Sequence, residues 1–210
     1  MKNISIEPHV QAVLFDCDGV LLSSWNSTCY YFNSIREHVG LGPMSPEEEK
    51  RAFVSTVSES IGFLVPEDKI QQAVAFAHSF PIENLTKRIK LNDGIEELLQ
   101  ELKKNDIKTA VVTNGENEAR DILAYFGLDK WFDTIVTAAD VEKGKPHPMG
   151  AQKALDICGV KPENALFVGD GPTDMGAANA AGVTFWCYEN EELECAEFIE
   201  SFRQIKLLSR

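Results

Sequence analysis

The run Val13-Leu14-Phe15-Asp16-Cys17-Asp18-Gly19-Val20 constrains this chain more than any other segment. A short apolar strand carries two carboxylates, one residue apart, to its carboxyl end, and a glycine then turns the chain. In an open α/β sheet that edge is where ligands bind. Two acids so close repel each other and need a counter-ion or a shared proton. The run therefore points to a metal ion or a nucleophile. Asp-Gly between apolar runs is also a hairpin signal, a reading compatible with a site beneath the turn. A calcium loop of the EF-hand type does not fit. Its glycine belongs at the sixth position and its bidentate Glu at the twelfth, whereas Gly19 is fourth from Asp16 and the twelfth residue is Ser27.

Short β-branched or aromatic runs recur along the chain: Val10 to Phe15, Lys108 to Val112, Thr134 to Thr137, Ala165 to Val168 and Val183 to Tyr188. Between them, Gly94 to Lys104, Glu116 to Phe126, Pro148 to Cys158 and Pro172 to Ala180 have helical spacing. Ile95, Leu98, Leu99 and Leu102 make one apolar stripe. Such alternation predicts an α/β fold with a mostly parallel sheet covered by helices on both faces. One stretch breaks it. From Ser23 to Lys90 the pattern is helical only, through Trp25 to Val39, Pro46 to Ile61 behind a Ser45 N-cap, and Pro66 to His78. So long a helical insert exceeds an ordinary crossover. It reads as a helical cap domain over 23–89, joined near 22–24 and 88–92 to a core of 1–22 and 90–210.

Composition narrows the function. At 210 residues and 44% hydrophobic, the chain can bury one substantial core and a small second unit. Thirty-three acids against 20 bases leave a net charge of −13, which argues against nucleic acid or an anionic membrane as a partner. Any anionic substrate then needs a local positive centre. No apolar stretch approaches the roughly 20 residues that span a bilayer. The five cysteines are odd in number and form no C-x-x-C pair, and Met1 to Pro8 is short and mixed rather than signal-like. Reduced thiols and a cytoplasmic location are the expectation.

Three further strand ends carry polar groups. Val111-Val112 leads to Thr113-Asn114-Gly115, a hydroxyl and a turn able to aim backbone N–H groups at an anion. Lys145 sits between Gly144 and Pro146, on a stiff segment before the next helix. Leu166-Phe167-Val168 ends in Gly169-Asp170-Gly171-Pro172-Thr173-Asp174, again two acids beyond an apolar strand. The last is no dinucleotide fingerprint, because the third glycine falls at Asp174. The oxygen-only acids suit a hard divalent cation such as Mg²⁺. Acids, Mg²⁺ and a lysine facing N–H groups are what phosphoryl transfer requires. At ~4 Å and an effective dielectric near 20, each carboxylate–phosphate repulsion costs roughly 4 kcal/mol, so metal and lysine are both needed.

The order D-x-D-G, T-N, K-P, G-D-x-x-x-D resembles the haloacid dehalogenase-like (HAD) hydrolase superfamily over essentially the whole chain, and the helical insert resembles its C1-type cap. The resemblance implies a Rossmann-like core and Mg²⁺-dependent phosphoryl transfer through an aspartyl-phosphate. It makes Asp16 the nucleophile and Asp18 the general acid/base, and it gives Thr113, Asn114, Gly115 and Lys145 to the phosphoryl group. Asp16, the Asp18 backbone carbonyl, Asp170 and Asp174 would serve the metal, Asp174 through water or by orienting Lys145. The cap would set specificity, with Trp25, Asn26, Tyr30, Arg51, Ser55 and Glu59 as candidates. Crowding by neighbouring acids is expected to keep part of Asp18 protonated.

Within the superfamily, dehalogenases lack the second acid of the first motif, because a leaving halide needs no proton. Asp18 therefore favours a phosphatase acting on a small phosphorylated metabolite, as a monomer or small homo-oligomer. Gly169 and Asp174 bring the pattern nearer to phosphoglycolate phosphatases than to β-phosphoglucomutases, which stand as the alternative. Ser23 departs from the Asp common there. A phospho-accepting signalling domain combines similar groups, but in another order and without a cap. His147 reads as a helix-start residue and Cys17, opposite in phase to its Asp neighbours, as core.

Overall fold

The structure is a computed structural model that describes residues 3–208, so residues 1–2 and 209–210 of the expected core lie outside the described residues. Six parallel strands form its sheet: β2 (Ala12–Phe15), β5 (Lys108–Val112), β6 (Thr134–Val136), β7 (Ala165–Gly169), β8 (Thr184–Tyr188) and β9 (Glu197–Ile199). Their spatial order is β6-β5-β2-β7-β8-β9. A separate parallel pair joins β1 (Ile4–Ile6) to β10 (Ile205–Leu207). Four helices connect the core: α6 (Ile95–Lys104), α7 (Asn117–Tyr125), α8 (Met149–Cys158) and α9 (Pro172–Ala181).

Successive strand residues face opposite sides, and the packing follows. Ala12 and Leu14 of β2 join Ala110, Val112, Phe167 and Phe185 against Ala151, Ala154 and Leu155 of α8 and Ala178 and Ala181 of α9. Val13 and Phe15 turn the other way, against the Ile95, Leu98, Leu99 and Leu102 stripe of α6 and Ile122 and Leu123 of α7. Each Ile or Leu buried this way contributes about 2 kcal/mol before entropy is counted. The fold class is the expected one: helices on both faces of a parallel sheet, with Asp16 directly after its central strand.

Between β3 (Leu22–Ser23) and β4 (Lys90–Leu91) lie five helices: α1 (Trp25–His38), α2 (Pro46–Val54), α3 (Val57–Leu64), α4 (Ile70–His78) and α5 (Ile82–Thr86). The first four share their own apolar cluster around Phe32, Ile35, Ile61, Leu64 and Ala73, whereas Leu85 of α5 joins the cluster on the α6 and α7 face of the sheet. The two passages between core and helices pair as an antiparallel ribbon, Leu22 with Leu91 and Ser23 with Lys90. Pro46 to Ile61 is not one helix. The chain turns extended at Ser55, and Thr56 caps a new helix, its hydroxyl accepting from Glu59 N–H (3.1 Å) while Glu59 Oε2 accepts from Thr56 N–H (2.9 Å). A second correction concerns the thiols. Cys187 of β8 is disulfide-bonded to Cys195, with Cα atoms 5.8 Å apart, whereas Cys17, Cys29 and Cys158 are free. The segment after β8 doubles back before β9 pairs beside it, which brings these two cysteines together.

Candidate active site

The order β5-β2-β7 at the middle of the sheet sets three strand ends side by side. Asp16 follows β2 and donates its N–H to Val168 O (2.9 Å); Thr113 follows β5 and donates its N–H to Val136 O (3.0 Å). Asp170 follows β7. With Asp18, Asn114, Gly115, Lys145 and Asp174 they line one cavity of about 90 Å³, roofed by the inserted helices. The sequence thus placed all eight motif residues around a single space.

Lys145 is the charge centre of this cavity. Its ammonium lies 2.6 Å from Asp16 Oδ1 and 2.6 Å from Asp174 Oδ1, and the lysine is 8% exposed. Burial pulls its pKa down, but the two carboxylates overcome that and hold it above its ordinary value. Asn114 fixes the lysine backbone, accepting from Lys145 N–H (2.8 Å) and donating to Lys145 O (3.0 Å). The same amide donates to Val54 O (3.2 Å) at the end of α2, a direct tie between roof and core. The Asn114 side chain therefore positions Lys145. Gly115 N–H is also spent, donating to Thr113 Oγ1 (2.9 Å), which leaves the threonine hydroxyl proton free to point elsewhere.

The acids divide into two environments. One carboxylate oxygen each of Asp16, Asp170 and Asp174 lies within 4.8 Å of the others, a group able to hold a metal ion. A set of carboxylate oxygens suits a hard divalent cation. Asp174 is held rigidly, with Oδ2 accepting from the N–H groups of Gly171 (3.0 Å) and Asp170 (3.2 Å). Gly19, in the left-handed region at φ 84°, passes so close that a Cβ would overlap the Asp170 carboxylate. Burial, then the Asp174 charge, pushes Asp170 up to about 7; burial and Asp174 likewise raise Asp16, against the pull of Lys145. The Asp18 carboxylate stands outside this group. Its pKa is raised by burial, while Ser24 and Lys145 pull the other way. Burial, rather than the expected crowding by the other acids, is the first cause that raises Asp18. The buried Ser24 hydroxyl beside it stops short of a well-aligned hydrogen bond.

Of the six roof candidates, Ser55 alone lines the cavity. Trp25 packs on Phe53 and borders a neighbouring cleft. Asn26 is exposed. Tyr30 lies under the Arg88 guanidinium (3.5 Å) and Arg51 over Phe63 (3.9 Å). Glu59 is committed to its capping box. The inward face of α1 is instead Ser27, Thr28, Tyr31 and Phe32, continuing the phase of Ser24, and Val54, Leu85, Ile89, Glu118 and Ile122 close the space. That phase, and the T-x-x-E box at Thr56, were the sequence signals for them. Cys17 is buried in the core, and His147 Nδ1 accepts from Met149 N–H (3.4 Å) at the start of α8.

Among the described residues, no helix is long and apolar enough to cross a membrane. The model of the haloacid dehalogenase-like hydrolase family matches residues 13–187. Pyrophosphatase PpaX of Bacillus cereus is 31% identical over 183 residues, covering 82% of this chain and 80% of that protein. A HAD-superfamily hydrolase of subfamily IA, variant 1, from Geobacter sulfurreducens superposes with a TM-score of 0.80 at 30% identity, over 93% and 97% of the two chains. A β-phosphoglucomutase from Clostridium difficile shares the fold, with a TM-score of 0.82 at 20% identity over 94% and 93%. Strand-end acids, buried lysine, helical roof and these likenesses agree: the chain belongs to the haloacid dehalogenase-like hydrolase family.

Proposed function

We propose that this chain is a Mg²⁺-dependent phosphatase of a small phosphate monoester, working through an aspartyl-phosphate on Asp16 with Asp18 as general acid/base. The observation that carries the reading is Lys145 bridging Asp16 and Asp174 beside a half-buried Asp18 that lines the same cavity. Asp16 Oδ1 is engaged by Lys145 and by Cys17 N–H (2.7 Å), which leaves Oδ2 for attack on phosphorus. As the bond from phosphorus to the alcohol oxygen breaks, Asp18 gives its proton to the leaving alkoxide. Asp18 then takes a proton from water, the water attacks the aspartyl-phosphate, and phosphate and Asp16 are released. Thr113 and Lys145 hold the phosphoryl oxygens. Asp16, Asp170 and Asp174, with the Asp18 carbonyl, would hold Mg²⁺, which supplies charge neutralisation for the phosphoryl group. Residues 23–89 would act as the cap over a core of 1–22 and 90–210, in a cytoplasmic monomer or small homo-oligomer.

The test is phosphate release from p-nitrophenyl phosphate. Steady, Mg²⁺-dependent turnover lost in Asp16→Asn is expected, and no turnover with metal present would sink the reading. In Asp18→Asn, intact-mass measurement should find phosphorylated Asp16 accumulating while turnover falls by about 10²-fold or more. Turnover of that variant at the wild-type rate would remove the acid/base role.

A further inference from the structure

The cavity's charge balance bears on what alcohol the phosphate is attached to. Lys145 is the one cationic side chain lining it among the described residues, and it is already committed to Asp16 and Asp174. The roof's other cations are turned away. Arg36 serves Gly42 O (2.7 Å), Glu48 and Leu64 O (3.1 Å), Arg88 covers Tyr30, and Arg51 covers Phe63. Lys143 and His147 border an outer cleft, in the company of Glu59, Glu116 and Glu142. Beyond the phosphoryl site the walls are uncharged, apolar at Phe32, Leu85, Ile89 and Ile122 and hydroxyl-bearing at Ser27, Thr28, Tyr31 and Ser55, and one carboxylate, Glu118, faces the same space.

Glu118 is placed by the first turn of α7. Its Oε1 accepts from Glu116 N–H (3.0 Å), so the acid is held at the helix start. Burial raises its pKa, and the nearby Glu116 and Asp18 add to that, while the backbone N–H groups of Glu116 and Glu118 oppose it. An alcohol bearing a carboxylate or a phosphate would meet this acid with no free cation to receive it. An alcohol bearing a hydroxyl or an ammonium would find an acceptor there.

We propose that the substrate is a phosphate monoester whose alcohol carries no negative charge, with Glu118 accepting a hydrogen bond from a hydroxyl or ammonium on that alcohol. This rests on the phosphatase reading above. It separates this chain from the pyrophosphate named for its PpaX relatives, whose leaving group is itself an anion.

Three isosteric probes test it at fixed Mg²⁺: 2-hydroxyethyl phosphate, 2-aminoethyl phosphate and 2-phosphoglycolate, with pyrophosphate beside them. One carboxylate–carboxylate repulsion at roughly 6 Å and an effective dielectric near 20 amounts to about 100-fold in kcat/KM. Partial protonation of Glu118 reduces this, so the wild-type enzyme should favour the hydroxyethyl or aminoethyl ester over both anionic probes at least tenfold. Glu118→Gln should cost the aminoethyl ester more than the hydroxyethyl ester if the natural group is an ammonium, and both alike if it is a hydroxyl. Glu118→Lys should move the preference toward phosphoglycolate by at least tenfold. Preference of the wild-type enzyme for phosphoglycolate or pyrophosphate overturns the inference and leaves the phosphatase reading standing. An unchanged ratio in folded Glu118→Lys overturns the role of Glu118. Failure to hydrolyse any ester, p-nitrophenyl phosphate included, overturns the phosphatase reading itself.

Discussion

Replacing Lys145 with Met keeps most of the buried stem and removes the charge between Asp16 and Asp174. At 2.6 Å and an effective dielectric near 20, each ammonium–carboxylate contact is worth ~6 kcal/mol of gross attraction. Desolvating three charges takes back several kcal/mol per ion, and removing one partner of such a buried set costs about 3–5 kcal/mol. For a chain of this size that is a fall in Tm of roughly 6–20 °C. The pH dependence carries the sharper test. Lys145 has its pKa raised, so its own contribution is fully present below the unfolded value near 10.4 and constant across pH 5–8. Asp16 has a folded pKa raised above its unfolded value of about 3.9, so the folded state binds more protons and stability falls as pH rises between the two. Without Lys145, which pulls Asp16 down, that interval widens. The Tm deficit of Lys145→Met should therefore be larger at pH 8 than at pH 5, by differential scanning fluorimetry without added metal. Equal deficits at both pH values, or none at pH 8, would refute the ion-pair account.

Two other perturbations read different parts of the molecule. Mg²⁺ at about 100 times its Kd should stabilise the protein by ~2.7 kcal/mol, or roughly 5–11 °C in Tm, and Asp170→Asn should lose most of that shift; a Tm indifferent to Mg²⁺ would count against the carboxylate group as a metal site. Away from the site, Asp133 holds Lys108 Nζ (2.9 Å) and Thr109 N–H (3.0 Å) at the start of β5, and these outweigh its partial burial to keep its pKa low. Its stabilisation is present above the unfolded value of about 3.9 and lost as pH falls through the lower folded value. Asp133→Asn should thus cost about 1 kcal/mol at pH 7 in urea titrations and almost nothing near pH 3, and an equal cost at both would contradict the ion-pair assignment.

The sheet and the eight motif residues were legible because both rest on local rules. An apolar β-branched run must be a buried strand, and polar residues just past it fall at the ligand-binding edge whatever the loops do. The roof was less legible because helix phase decides what faces the cavity. Counting from Ser24 rather than from the aromatic Trp25 turns Ser27, Thr28 and Tyr31 inward and Asn26 and Tyr30 out. The break at Ser55 was hidden by the continuous helical spacing of Pro46 to Ile61, yet Thr56 and Glu59 spelled a capping box within it. The Cys187–Cys195 bond and the β1–β10 pair depend on where distant or doubled-back segments meet, which no spacing encodes.

At Asp18 burial, rather than the crowding expected from the sequence, is the first cause of a raised pKa. A free Asp is protonated about once in a thousand molecules at pH 7, and each unit by which its pKa rises multiplies that tenfold. Adjacency to Asp16 had seemed the means of raising it. The first cause is burial, as it is for Asp16, on which Asp174 and Lys145 then act in opposite senses. Burial at this spot comes from the roof, since Ser24, Tyr31, Phe32 and Leu85 share the cavity with Asp18. In the proposed mechanism, the elements that would enclose the alcohol of the substrate are thus the ones that would keep on Asp18 the proton its leaving oxygen requires. Lys145, the counter-ion of Asp16, is a residue of the core. Both acids of the first motif are raised first by burial, and what separates them is that Asp16 also carries the opposed charges of Asp174 and Lys145, whereas Asp18 lies beside Ser24.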